Sequence, residues 1–302
     1  LKSLIASNAK HYHASPVCKN FTRANQLAIK SKNYWDPNDL LIARSVARNI
    51  REVKPASISL ENVPRYQHTF LFKMIAKELD DAGYKWDADV YDAADYGAAQ
   101  SRKRLIVRAV LDGDLPPLPQ KTSPTDWYAT IEDLIIVEKG IDERVKPLLE
   151  VFTSDKPGKI NDEITRIKTY LGMGKLNTNS AIITMGQSAS KGVPHAANAG
   201  GPSPTLLATP KSVPRIIFPG PKGLEDATAI RVTPRMMARL MGLPDTYKIP
   251  SGDFTEINIS EFRDAKQILG NGVHGKITET LIQPLVDAPA DIAARAAPAT
   301  DS

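Results

Sequence analysis

The chain reads as an α/β protein with a mostly parallel sheet, joined to a second, smaller module that is irregular and mainly β. Three observations predict this. Helical and strand periodicities alternate over residues 36–111, the regularity breaks at the proline-rich "DLPPLPQKTSPTD" (114–126), and residues 116–228 are rich in Gly, Pro, Ser, Thr and Asn without a sustained period.

Each element has its own reason. Asp36 before Pro37 starts a helix, and Ile42, Val46, Ile50 and Val53 fall on one of its faces. Arg51 and Lys54 suit its negative C-terminal end, and Pro55 stops it. In "ASISLENVPRY" the alternating Ile58 and Leu60 give a short strand that ends at Glu61. A second helix covers about 67–82, with Leu71, Ile75 and Leu79 on one face and Gly83 as its stop. "YKWDADVYDA" and "RLIVRAVL" supply two more strands. In such sheets chemistry sits in loops at strand ends, and Cys18 and Glu61 both fall at such ends. Helical character returns at "TPRMMARLMGLPD" and "GKITETLIQPLVD", and the Ala/Pro-rich tail reads as disordered. The expected division is 1–115, then 116–228, then a segment 229–286 returning to the first domain, then a tail 287–302.

Composition narrows the function. A hydrophobic fraction of 42% builds a real core, and a net charge of +5 agrees with a polyanionic partner without requiring one. A single cysteine excludes an internal disulfide and any multi-cysteine zinc site. No run approaches the ~18 apolar residues of a membrane span, and no basic-then-apolar signal precedes the first element. His11 and His13 are the one close pair among five histidines, and alternation puts them on one strand face, more in keeping with a structural role than with a metal site. "GMGK" lacks the spacing and the following Ser/Thr of a phosphate-binding loop.

Cys18 sits in a polar loop, "SPVCKNFT", where a lone thiol is by default a small buried hydrophobe. In order along the chain follow "ENV" at Glu61, "QSRKR" with Gln100, Arg102 and Arg104, "RVTPRMMARLMGLPDTY" and "LGNGVHGKI". This ordered set resembles the DNA (cytosine-5)-methyltransferase family over about residues 10–286. The resemblance implies a Rossmann-like, S-adenosylmethionine-dependent methyltransferase sheet. Residues 1–115 would be its catalytic domain, 116–228 a target-recognition domain reading duplex DNA, and 229–286 an anchor helix and cofactor-motif helix. It also implies a cytoplasmic enzyme of a bacterium, archaeon or phage.

The implied chemistry needs these residue types. Carbon 5 of cytosine is a poor nucleophile until a thiolate adds at carbon 6, the role the resemblance gives Cys18. It gives Glu61 the proton or short hydrogen bond at nitrogen 3. Arg102 and Arg104 would hold the anionic site. Asn271, Gly272 and Val273 would touch the cofactor. The base must leave the stack, so a loop including Lys19, Asn20 and Thr22 would close over it.

Three departures qualify the resemblance. Only 17 residues precede Cys18, so the family's glycine-rich cofactor loop and its first strands are expected upstream or on a complementary polypeptide, making the chain a truncation or one half of a split enzyme. "RIIFPGPKG" is a poor substitute for that loop, because Pro219 and Pro221 donate no N–H. Val17 stands where the family has proline, and Met236 where it has glutamate. Two alternatives therefore stay open: a catalytically degenerate DNA-binding relative and an RNA cytosine-5 methyltransferase.

Overall fold

Asp36 caps the first long helix in the computed structural model of the chain. Its carboxylate accepts from the backbone N–H groups of Asn38 and Asp39, and Asp39 closes the reciprocal half of the box. This helix, α1 (Pro37–Val53), ends at Lys54, which adopts left-handed φ of 45° just before Pro55. The structure describes residues 10–21, 35–137, 140–141, 149–151, 167–185, 195–208, 213–249 and 259–288. They fall into two units, one drawn from 1–92, 103–120 and 277–302, the other from 93–102 and 121–276. In this division the segments 93–102 and 229–276 fall with the second unit, and 103–120 with the first. The tail 289–302 lies outside the described residues.

The first unit holds a four-stranded sheet in the order β1 (His11–Ala14), β2 (Ser57–Asn62), β4 (Lys103–Val110), β3 (Lys85–Asp92). The expectation of a mostly parallel sheet needs correction. Only β1 and β2 pair in parallel, while β4 wedges antiparallel between β2 and β3. The stretch 93–102 between β3 and β4 is too short for the crossover a parallel neighbour requires. Helix α2 (Phe70–Asp81) starts at Thr69, whose hydroxyl accepts from Phe72 N. Gly83 follows it at φ of 85°, a conformation open to glycine. One sheet face packs on α1 and α2: Ile58, Leu60, Leu105, Val107 and Ala109 meet Val46, Ile50, Leu71, Ile75 and Leu79. Each such buried aliphatic side chain contributes about 1.5–3 kcal/mol. The alternate residues of β2, namely Ser57, Ser59 and Glu61, are also buried, and the helical turn Thr278–Ile282 contacts β4.

The second unit is built around a five-stranded antiparallel sheet. Its order is β5 (Leu149–Val151), β9 (Gly223–Arg231), β8 (Arg215–Gly220), β6 (Ile182–Thr184), β7 (Ala196–Asn198). "RIIFPGPKG" is the hairpin joining β8 to β9. Helices α3 (Trp127–Ile131), α4 (Pro234–Leu240) and α5 (Ile259–Asn271) belong to this unit. Trp127, Met236, Met237, Leu240 and Leu269 share one core with Ile183, Ile216 and Ile230 of the sheet.

Candidate active site

Parallel pairing puts the C-terminal ends of β1 and β2 at the same sheet edge, with Ala14 opposite Leu60. The loop that leaves β1 carries Cys18, and β2 ends in Glu61 and Asn62. Two side chains tie that loop to the strand end. The Ser15 hydroxyl donates to Glu61 Oε2 at 3.2 Å, and Asn62 Nδ2 donates to the Pro16 carbonyl at 3.0 Å. Antiparallel β4 brings its N-terminal end to the same edge, since Asn62 faces Leu105. Arg104, one residue earlier, lays its Nε 2.8 Å from Glu61 Oε1, with both side chains largely buried. Glu61 thus has a donor on each oxygen, an arrangement that fixes its rotamer.

The Cys18 side chain is half-buried, and its carbonyl accepts from Phe21 N at 2.9 Å, closing one 3₁₀ turn. Val17 beside it is exposed, so valine in place of proline costs no packing there. Asn20 donates to Asp36 at 2.8 Å and to Asp39 at 2.7 Å, pinning the thiol loop to the start of α1. Thr22 lies outside the described residues. Sequence reasoning did not assign the partners that Ser15, Asn62 and Asn20 take here. All three are short polar residues inside the stretches "SPVCKNFT" and "ENV" already singled out, and that was the available signal.

In the second unit, the sequence-predicted Arg102 and the turn Asn271–Val273 come together. Arg102, fully buried, donates through Nη2 to the Gly270 carbonyl at 2.7 Å and the Gly272 carbonyl at 2.8 Å. It also reaches the Leu206 carbonyl at 3.3 Å. The Gly270 and Gly272 carbonyls are among those that a helix C-terminus leaves without intrahelical partners. Through these contacts Arg102 anchors the turn. His274 adds a second anchor, donating from Nε2 to the Leu240 carbonyl at 3.0 Å while its Nδ1 accepts from Lys276 N. Gly275 approaches Gly242 so closely that a Cβ would stand 2.2 Å from the Gly242 carbonyl oxygen. The turn is therefore rigid, with Asn271 exposed at its tip.

Met236 replaces the family glutamate without opening the helix start. Its Sδ accepts from Thr233 N at 3.5 Å, while Met236 N donates to Thr233 Oγ1 at 3.2 Å. The box is closed by sulfur in place of a carboxylate. Part of the recognition stretch that the sequence singled out, residues 186–194 and 209–212, lies outside the described residues. No helix among the described residues is long and apolar enough to cross a membrane.

The parallel ends of β1 and β2 thus bring the loop that carries a half-buried thiol and a doubly bonded carboxylate to one edge of an α/β sheet. Residues 15–286 match the model of the C-5 cytosine-specific DNA methylase family, and the chain belongs to that family. It is 33% identical over 135 residues to the type II methyltransferase M1.HgaI of Avibacterium volantium, covering 42% of this chain and 38% of that protein. It is 23% identical over 243 residues to M.HhaI of Haemophilus parahaemolyticus, covering 77% of this chain and 66% of that one. The match to M1.HgaI thus spans less than half the length of that relative. Among solved structures, it resembles the Entamoeba histolytica methyltransferase EhMeth (TM-score 0.52, 17% identity, 95% of this chain and 80% of that one). It also resembles Spodoptera frugiperda DNMT2 (TM-score 0.51, 16% identity, 94% and 81%). The cofactor of such a fold is S-adenosylmethionine. The residues present fit one edge of it: a backbone turn locked by Arg102 and His274, with the exposed Asn271 amide able to donate and accept.

Proposed function

We propose that this protein transfers a methyl group from S-adenosylmethionine to carbon 5 of a cytosine flipped out of duplex DNA, through a covalent bond between Cys18 and carbon 6. The observation that carries this reading is the tie between the Cys18 loop and Glu61 through Ser15, with Arg104 on the other carboxylate oxygen.

Cys18, as thiolate, adds to carbon 6 and pushes electron density toward carbon 5 and the nitrogen 3 side of the ring. Glu61 meets nitrogen 3 with a proton or a short hydrogen bond, offsetting that charge. Arg104 keeps the carboxylate oriented. S-adenosylmethionine, when bound, supplies an electrophilic methyl group. Asn271, Gly272 and Val273 contact it, and Arg102 holds their turn in place. Loss of the hydrogen at carbon 5 to a base then lets Cys18 leave. The second unit would read base edges and phosphates of the duplex through its polar and basic side chains.

The test is transfer of tritiated methyl groups to duplex DNA by the protein expressed from its full gene, beside Cys18→Ser. Incorporation into DNA that disappears in the variant is the expected result. Duplex binding without incorporation would replace this reading with the degenerate relative, and labelling of tRNA alone would replace it with the RNA enzyme.

A further inference from the structure

Two histidines outside the implied machinery form a continuous path to it. His11 Nδ1 lies 2.8 Å from Ser57 Oγ, and His11 Nε2 lies 3.0 Å from Ser59 Oγ. His13 Nδ1 lies 2.7 Å from the same Ser59 Oγ, and His13 Nε2 lies 3.1 Å from Ser15 Oγ. The parallel register explains the spacing, with His11 opposite Ser57 and His13 opposite Ser59. Side chains two residues apart share a face, so the ladder climbs β1 and β2 together and ends at Glu61.

The hydrogens in this ladder have only one consistent arrangement once Ser15 donates to Glu61. Ser15 has a single hydroxyl hydrogen, and it goes to Glu61 Oε2. The bond between Ser15 and His13 must then come from Nε2–H. A neutral ring protonated at Nε2 has a lone pair at Nδ1, which takes the Ser59 hydrogen. With that hydrogen used, His11 must donate to Ser59 from its own Nε2–H, and its Nδ1 accepts from Ser57. Every hydrogen points toward the carboxylate.

We propose that His13 is a positioning residue for Glu61, the central link of a one-way hydrogen-bond chain Ser57–His11–Ser59–His13–Ser15 that holds the carboxylate ready for the target base. The proposal rests on the reading of Glu61 given above. Ser57 and Ser59 are fully buried, so water does not compete for their hydroxyls. Burial pushes the His11 imidazole down to about 4, helped by His13; His13, whose outer edge is exposed with Ser15, is lowered by partial desolvation against the opposing pull of Glu61. Both rings are then neutral at physiological pH, as the chain requires. On β4, which pairs with β2, Arg104 pairs with Glu61, and Arg108, opposite Ser59, pairs with Asp87. All four ring nitrogens are engaged by serine hydroxyls, and no cluster of three or more metal-ligating side chains exists among the described residues.

The experiment compares His13→Leu, His13→Gln, Ser15→Ala and the double variant His13→Leu/Ser15→Ala in the protein expressed from its full gene. The readouts are single-turnover trapping on a duplex carrying 5-fluorocytosine, KM for DNA, the thermal midpoint, and imidazole nitrogen NMR. His13→Leu and Ser15→Ala should each slow trapping by about tenfold, the value of one ordered hydrogen bond. KM should stay within about twofold, and the double variant should be no slower than either single, because both cut the same path. Gln, which keeps a donor at the Nε2 position, should recover most of the rate. NMR should show the Nε2–H tautomer in both rings, a readout independent of catalysis. Native trapping in His13→Leu, losses that multiply, no rescue by Gln, or an Nδ1–H tautomer at His13 would each overturn the inference. Persistent trapping in Cys18→Ser or Glu61→Gln would instead overturn the functional reading beneath it.

Discussion

Arg104 sets its Nε against a carboxylate oxygen of Glu61, whereas Arg102, two residues earlier in the same Gln-x-Arg-x-Arg segment, is fully buried against the backbone carbonyls of Leu206, Gly270 and Gly272. The residue type is the same and the partners are opposite in kind: one ion pair at a strand edge, one multiply bonded anchor at a helix end. The difference teaches that a motif names the residues and leaves their work to their surroundings. A guanidinium suits both tasks because its planar fork presents five donors and stays charged at any physiological pH.

The largest expected effect separates the two. Arg102→Leu strands buried carbonyls and should cost about 3 kcal/mol or more of stability, read as an earlier urea unfolding transition by the fluorescence of buried Trp127. Arg102→Lys should recover less than half of that, because an ammonium cannot span those carbonyls. A lysine variant as stable as the native protein would dissolve the contrast. Arg104→Leu should do the reverse. Methyl transfer to DNA should fall by about tenfold to a hundredfold as Glu61 loses its orienting partner, while the thermal midpoint moves by only a few degrees. Equal loss of stability in both variants would erase the distinction.

Acid should sharpen the comparison. His11 has a folded pKa of about 4 against 6.5 for the free side chain, so below pH 6.5 the unfolded chain binds a proton that the folded chain refuses. Stability from this group is therefore complete above pH 6.5 and declines as pH falls toward 4, by on the order of 1 kcal/mol after allowance for solvent screening. His11→Gln should flatten that part of the stability profile, whereas Arg102 variants should leave its slope unchanged. The smallest effect belongs to Met236→Leu. Loss of the sulfur acceptor at Thr233 N should cost about 0.5 kcal/mol, read by thermal unfolding, with DNA binding unaltered.

Much of this was legible beforehand. The Asp36–Pro37 start, the faces of α1 and α2, and the strand ending near Glu61 follow from capping chemistry and from periods of 3.6 and 2, both local properties of the chain. The parallel sheet was misjudged because strand pairing is not local. β1, β2 and β3 do run in one direction, as strand–helix alternation predicts, but β4 inserts between β2 and β3 and reverses both pairings. Met236 looked like a weakness on the page and is a working cap in the fold, because a thioether can accept where a carboxylate usually does.

The sequence by itself determined the elements, the family-bearing motifs and their order, since turns, caps and apolar stripes act over a few residues. Tertiary structure alone decided which partner each polar group received. Register set His13 beside Ser59 and Glu61 beside Arg104, and packing of the turn after α5 drew Arg102 to its carbonyls. Hydrogen bonds form only at about 3 Å, and distances of that order between residues far apart in sequence exist only once the chain has folded.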